Sequence, residues 1–135
     1  MVTFGIKPTH SETGYGYLEL AKNPIDDSGT SDLEKFIEKP DLQDAKQMLE
    51  AGHYLWNAGI FLFRAQDMID AFRAFAPETL GLVSQAMNEA SSDLGFLRFA
   101  PEPWSELKDI SIDYAIMEKA QNLVAVPYAS KWSDL

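Results

Sequence analysis

An α/β fold is what the order of periodicities along the chain predicts. Apolar runs of strand length are interleaved with stretches of helical spacing. The longest run, Tyr54 to Phe63 (YLWNAGIFLF), is nearly uniform, as in a strand buried on both faces of an α/β sheet. Composition supports this class. The 135 residues are 46% hydrophobic, with eight Phe, five Tyr and three Trp, which suffices for one packed core and argues against disorder.

Residues 2 to 6 read as a short strand ended by Lys7-Pro8, and residues 9 to 16 (THSETGYG) as a polar loop punctuated by glycine. A second strand begins at Tyr17-Leu18-Glu19-Leu20. Asn23 to Asp32 is rich in Asp, Ser and Gly and reads as a hairpin tip or loop. Leu33 to Lys39 reads as a third strand, partly exposed because Lys35 interrupts its inner side. Pro40-Asp41 opens a helix with Asp41 as N-cap, Asp44 three residues on, Leu42, Ala45 and Leu49 sharing a face, and Gly52 as terminator. The Tyr54–Phe63 strand comes next. Met68, Ile69, Phe72 and Phe75, then Leu80, Val83 and Met87 after Pro77, mark two helices whose apolar stripes are expected in the core. Residues 91 to 110 look irregular. Ser111 reads as the N-cap of a short helix through Ala120, and Leu123 to Tyr128 as a last strand.

Charge and missing residue types exclude several function classes. With 11 Lys+Arg against 21 Asp+Glu, the net charge is -10, which argues against binding nucleic acid or anionic membranes. A small phosphorylated substrate is still compatible, because one Lys or a bound cation reverses the field locally. The absence of cysteine removes disulfides and thiolate chemistry, and two isolated histidines are too few for a histidine metal cluster. No apolar run reaches the ~20 residues of a membrane-spanning helix, so a soluble cytoplasmic protein is expected. There is no glycine-rich phosphate loop between a strand and a helix. The abrupt β-type start and the loop-like end at Trp132-Ser133-Asp134-Leu135 suggest a piece of a longer domain.

Five motifs could carry chemistry. Glu38-Lys39-Pro40 closes a strand, where ligands bind in α/β sheets. A carboxylate there can accept sugar hydroxyls and an ammonium can hold a phosphate. Side by side on a strand, the two would project to opposite faces and not pair. The same residues would also suit a solvated strand end. Asn57 places one amide in an apolar run and must be hydrogen-bonded, to the backbone as a brace or to a ligand, with Ala58 and Gly59 leaving room for close approach. Thr13-Gly14-Tyr15-Gly16-Tyr17 could fold over a ligand or be an ordinary turn. Asp113, in a first helical turn, complements the helix dipole with no further role required. Asp134 could be a hard oxygen ligand for Mg²⁺, or a solvated terminal acid.

Read in order, these motifs resemble one family. Thr3-Phe4-Gly5-Ile6-Lys7-Pro8-Thr9, Glu12-Thr13-Gly14-Tyr15-Gly16-Tyr17, Phe36-Ile37-Glu38-Lys39-Pro40, Leu55-Trp56-Asn57-Ala58-Gly59-Ile60-Phe61, Ser111 to Lys119 (SIDYAIMEK) and Trp132-Ser133-Asp134-Leu135 look like successive blocks of bacterial mannose-1-phosphate guanylyltransferases. The resemblance runs from residue 1 to residue 135. It implies a Rossmann-like nucleotide-diphospho-sugar transferase fold, a mixed sheet flanked by helices, of which this chain is the C-terminal, sugar-phosphate-binding part. The implied reaction joins mannose 1-phosphate and GTP into GDP-mannose and pyrophosphate with Mg²⁺. Glu38 would bind mannose hydroxyls, and Lys39 would lie near the sugar phosphate. Tyr15, Gly16 and Asn57 would line the pocket, Asp113 would shape it from the helix, and Asp134 would hold the metal. The family's glycine-rich nucleotide segment, with its Arg and Lys, has no counterpart in the sequence. The piece alone is therefore expected to be inactive, although the parent is an enzyme. A non-catalytic domain of the same fold, or an enzyme for another sugar 1-phosphate, are the alternatives. A sheet lacking strands should expose an edge and form homo-oligomers through it.

Overall fold

The computed structural model describes residues 1–21, 29–129 and 132–133. The chain divides into two compact units where its length suggested one core: Met1–Arg64 with the segment from Met117 onward, and Ala65–Ile116.

The first unit is built on strands β1 (Val2–Ile6), β2 (Tyr17–Leu20), β3 (Ser31–Ile37), β4 (Tyr54–Leu62) and β7 (Val124–Tyr128), with helix α1 (Leu42–Ala51). The strands close a ring in the order β1-β4-β2-β3-β7. Only β1 and β7 run parallel, and the other pairings are antiparallel, so the sheet is mixed as expected. Among the described residues the strands form a closed ring in place of the open sheet expected, β7 pairing with β1 along its length and meeting β3 at Ser31 and Asp32.

Register sorts the core into two faces. Tyr17 pairs with Trp56 and Ile37, and Trp56 pairs with Ile6. Ile6, Tyr17 and Trp56 pack with Ala45, and Met48 of the same helix lies against them. On the opposite face Leu18 pairs with Leu55 and Phe36, all buried. Each fully buried leucine contributes roughly 1.5–3 kcal/mol of apolar transfer.

Helix α1 forms as its signals predict. The Asp41 carboxylate accepts the Asp44 N–H at 2.8 Å, and Gly52 ends the helix with φ 75°, a left-handed conformation that favours glycine. Other expectations need correction. Strand β3 ends at Ile37, so Glu38 and Lys39 follow the strand rather than belonging to it. Strand β4 is buried only at Leu55 and Trp56. Its outer half is open, with Ile60 55% and Leu62 64% exposed, because the pairing with β2 stops at Trp56.

The second unit holds α2 (Ala65–Phe75), α3 (Pro77–Asn88), a hairpin of β5 (Ser91–Asp93) and β6 (Phe96–Arg98), and the short α4 (Pro101–Ser105). Residues 91 to 105 are thus ordered where an irregular stretch was expected. A tight turn at Leu94-Gly95, both at positive φ, joins the two short strands. The helical stripes are only partly core: Met68 is buried, but Phe75 and Met87 are exposed. The helix expected after Ser111 is a π-helical turn, Asp113–Met117, entered through a Tyr114 N–H bond to Ser111 Oγ at 3.4 Å.

Candidate sugar-phosphate site

The clearest constellation lies on the Leu18 face of the ring. Side chains two residues apart on a strand share a face. Two residues from Leu18, Phe36 and Leu55 stand Gly16, Glu38 and Asn57. The buried apolar row therefore continues into three sequence-predicted site residues drawn from three segments. Their closeness can be measured at Gly16. A Cβ there would lie 2.6 Å from Glu38 Oε2, 3.3 Å from Asn57 Cβ and 3.3 Å from Phe36 Cζ. Any side chain at this point would have to push the Glu38 carboxylate aside.

Backbone bonds fix the convergence. Gly16 O accepts the Asn57 N–H at 2.8 Å, and Tyr15 O accepts the Lys39 N–H at 3.2 Å. The loop before Gly16 is closed on itself. Tyr17 Oη donates to Glu12 O at 2.9 Å and accepts the Glu12 N–H at 3.0 Å. The Glu12 carboxylate accepts the N–H groups of Thr13 and Gly14. Its pKa is lowered, first by the Gly14 N–H and then by the His10 side chain. Tyr15 stands edge-on to Trp56 and to Trp132, each with centroids 5.3 Å apart. Trp56 also meets His10 edge-on, and its buried Nε1 has no hydrogen-bond partner among the described residues.

Glu38 and Lys39 do approach each other, contrary to the opposite-face expectation: Lys39 Nζ lies 3.9 Å from Glu38 Oε1. The reason is local backbone. Both residues are past the strand end, and Lys39 has φ 47°, which breaks the alternation. The Glu38 side chain is 9% exposed and that of Lys39 58%, so a nearly buried carboxylate sits beside an accessible ammonium. Chemically, this pairs a hydroxyl acceptor with a phosphate-holding cation.

The Asn57 amide is braced as one of its two readings predicted: Oδ1 accepts Thr3 Oγ1–H at 3.0 Å and the Gly59 N–H at 3.2 Å. Gly59 has φ 70° and open space where a Cβ would be, so its backbone conformation, not its size, is what this turn needs. Sequence reasoning missed Thr3, a fully buried hydroxyl in an apolar strand. It also missed Glu118, whose carboxylate accepts the Glu38 N–H at 3.1 Å. The only sequence signal for Glu118 is its place in the block from Ser111 to Lys119.

Asp113 lies in the second unit, at the start of the π-helical turn. Asp134 lies outside the described residues, while Trp132 of the same block packs against the core cluster. Among the described residues, no group of three His, Cys, Asp or Glu side chains is placed to hold a metal ion. No helix among them is long and apolar enough to cross a membrane.

The family model described as nucleotidyl transferase matches residues 1–135. A mannose-1-phosphate guanylyltransferase of Sinorhizobium fredii is 44% identical over 135 residues, which are 100% of this chain and 26% of the relative. The xanthan biosynthesis protein XanB of Xanthomonas campestris is 40% identical, over 100% of this chain and 28% of its own length. The chain thus spans under a third of these relatives, and it matches their N-terminal part. A Helicobacter pylori crystal structure titled mannose-6-phosphate isomerase superposes with a TM-score of 0.86 at 31% identity, covering 98% of this chain and 51% of that one. A Thermus thermophilus structure titled mannose-1-phosphate geranyltransferase gives 0.79 at 31% identity, covering 98% and 36%. The match of the family model along its whole length shows that this chain belongs to the nucleotidyl transferase family.

Proposed function

We propose that this chain is the sugar-phosphate-binding part, within the C-terminal portion of the nucleotidyltransferase domain, of a mannose-1-phosphate guanylyltransferase. In this reaction a phosphate oxygen of mannose 1-phosphate attacks the α-phosphorus of GTP. The bond from that phosphorus to the bridging oxygen breaks, and pyrophosphate leaves with GDP-mannose formed. The observation that supports the reading is the crowding at Gly16, where Glu38 and Asn57 converge so closely that a methyl group would displace the Glu38 carboxylate. The curated relatives supply the sugar and the nucleotide.

In this reading Glu38 accepts hydroxyl protons of the mannose ring, and its near-complete burial strengthens those bonds. Lys39, exposed beside it, holds the phosphate. Tyr15 and Gly16 form the floor on which the ring lies, and Asn57 contributes an amide. Together they orient the attacking oxygen, and positioning of this kind supplies much of the catalysis in phosphoryl and nucleotidyl transfer. No residue of this chain is assigned to GTP. A divalent cation, Mg²⁺ by this reading, would neutralise phosphate charge, with Asp134 among its ligands. Asp113 would help to shape the pocket. GTP as co-substrate places the reaction in the cytoplasm.

The test is calorimetric titration of mannose 1-phosphate into the chain, with glucose 1-phosphate and GTP as comparisons. Selective binding of mannose 1-phosphate is expected, weakened about tenfold or more by Glu38→Ala, as for loss of a charge-assisted hydrogen bond. Equal binding of both sugar phosphates, or binding indifferent to Glu38→Ala, would overturn the assignment.

A further inference from the structure

Two consecutive backbone N–H groups decide how the chain leaves β3. The Lys39 N–H donates to Tyr15 O at 3.2 Å, which continues the antiparallel pairing with β2 beyond Ile37 opposite Tyr17. Bonded and non-bonded pairs alternate along such a ladder, so the N–H of Glu38, next to the bonded Lys39, points away from β2. On that side the described residues of β7 meet β3 at Ser31 and Asp32, its other end. The Glu118 carboxylate takes the place of a strand there, accepting the Glu38 N–H at 3.1 Å from 80 residues along the chain. The peptide units on either side of the Glu38 Cα are thus both tethered, which fixes the plane from which Lys39 departs. Lys39 departs at φ 47°, a conformation that a non-glycine residue keeps only where its surroundings over-determine it. Both acceptors stand on packed residues. Tyr15 lies against the Trp56 cluster, and Glu118 follows Met117, which is fully buried at the end of the π-helical turn.

We propose that Glu118 is a positioning residue: its carboxylate stands in for a strand beside Glu38 and holds Lys39 in the conformation that presents its ammonium to a phosphate. This rests on the reading that Lys39 holds the phosphate of a sugar 1-phosphate. The Lys39 side chain is 58% exposed, and a flexible stem of that kind is placed mainly by the backbone it starts from. Released by Glu118, the turn would relax toward negative φ for part of the time. Apparent affinity for the phosphate then falls by the fraction of molecules that leave the competent conformation.

The experiment compares wild type, Glu118→Ala, Glu118→Gln, Lys39→Ala and the double variant of Glu118→Ala with Lys39→Ala. Glutamine keeps an oxygen acceptor and removes the charge, whereas alanine removes both, so their difference reports the bond and not the field of the carboxylate. Glu118 is exposed, so neither change opens a cavity in the core. The first readout needs no ligand: hydrogen exchange at the Glu38 amide. It should accelerate severalfold in Glu118→Ala relative to other strand residues of the same unit, and stay near wild type in Glu118→Gln. The second readout is the dissociation constant for mannose 1-phosphate. It is expected to rise about fivefold in Glu118→Ala, as for one hydrogen bond, and to recover in Glu118→Gln. Added to Lys39→Ala, the same Glu118→Ala change should cause no further rise, because the two residues act as one unit. Unchanged Glu38 exchange in Glu118→Ala overturns the positioning role whether or not any sugar phosphate binds. Where wild type binds, equal affinity of Glu118→Ala and Glu118→Gln also overturns it. So does a full fivefold loss repeated in the Lys39→Ala background, which a merely structural role would give. If Glu38 exchange responds as expected but wild type binds no sugar phosphate, or Lys39→Ala binds it equally well, the phosphate reading fails while the hold of Glu118 on the turn stands.

Discussion

Replacing Gly16 with alanine should separate binding from stability. The new methyl would lie 2.6 Å from Glu38 Oε2, against an ordinary carbon–oxygen contact of about 3.3 Å. One of the two must move by about 0.7 Å. The methyl is fixed by the backbone, whereas the carboxylate is the far end of a flexible side chain, so the carboxylate moves. The steric cost falls near ~1 kcal/mol, the low end for overpacking, and the reduced chain entropy of alanine in the unfolded state offsets part of it. Glu38 is displaced nonetheless from the place where it would meet a hydroxyl, and a 1 Å misplacement can cost on the order of 10²-fold in reactivity. Binding of mannose 1-phosphate should therefore weaken about tenfold or more, with little change in the urea midpoint. Gly5→Ala is the contrasting case. Its methyl would lie 2.4 Å from Leu55 Cδ1 and 2.8 Å from Leu55 Cβ, and Leu55 is 1% exposed with its Cβ tied to the strand. That variant should lose about 3 kcal/mol of stability, the upper end of the same range. Urea denaturation and calorimetry on both proteins decide the matter. If Gly16→Ala unfolds as readily as Gly5→Ala, or binds sugar phosphate as wild type does, the steric reasoning is wrong.

Two further outcomes follow from the backbone and from titration. Lys39 holds φ 47°, a region costing a non-glycine residue ~1–2 kcal/mol. Lys39→Gly should leave stability within about 1 kcal/mol of wild type, because glycine's greater unfolded-state entropy offsets the relief, while sugar-phosphate affinity falls and glucose 6-phosphate or inorganic phosphate competes less well. A stability loss well beyond that would show the side chain to be structural. Burial, together with a hydrogen bond to Glu19 and the charges of Glu19 and Glu34, pushes the Tyr54 phenol up to about 12 from 10.0. A folded pKa above the unfolded one means a contribution fully present below pH 10 and lost as pH rises through about 12. Chemical denaturation across that window should show a smaller decline for Tyr54→Phe than for wild type, and parallel declines would refute the shift.

The strands and α1 were legible because their signals are local. Asp41 with Asp44 and Gly52 bound one helix, and alternating residues mark β2. The gathering of Gly16, Glu38 and Asn57 was legible only as motifs, since one sequence does not reveal that β2, β3 and β4 lie side by side. The open half of β4 was misread because an unbroken apolar run carries no phase to tell an inner face from an outer one. Thr3 was missed for a related reason: a lone hydroxyl among apolar neighbours looks like any other strand residue until its partner across β4 is known. The hairpin at 91–98 was hidden by Ser91-Ser92-Asp93, a loop-like composition, and by Leu94, an unusual occupant of a positive-φ turn position.

The ring of strands has a kinetic consequence. Its closing contacts join the two ends of the described chain: Val124 N–H donates to Met1 O, and the Met1 ammonium to Asn122 O. Residues 65 to 116, a compact unit of their own, intervene between β4 and β7. The last strand can therefore zip onto β1 only after that long stretch has been synthesised, and topology of this kind slows folding. The entropic toll of closure grows only with the logarithm of the intervening length, about 0.6 kcal/mol per doubling. The inserted unit is thus free to lengthen or shorten at little thermodynamic expense. Insertion or deletion in the 65–116 stretch should then alter the refolding rate more than the equilibrium stability of the ring.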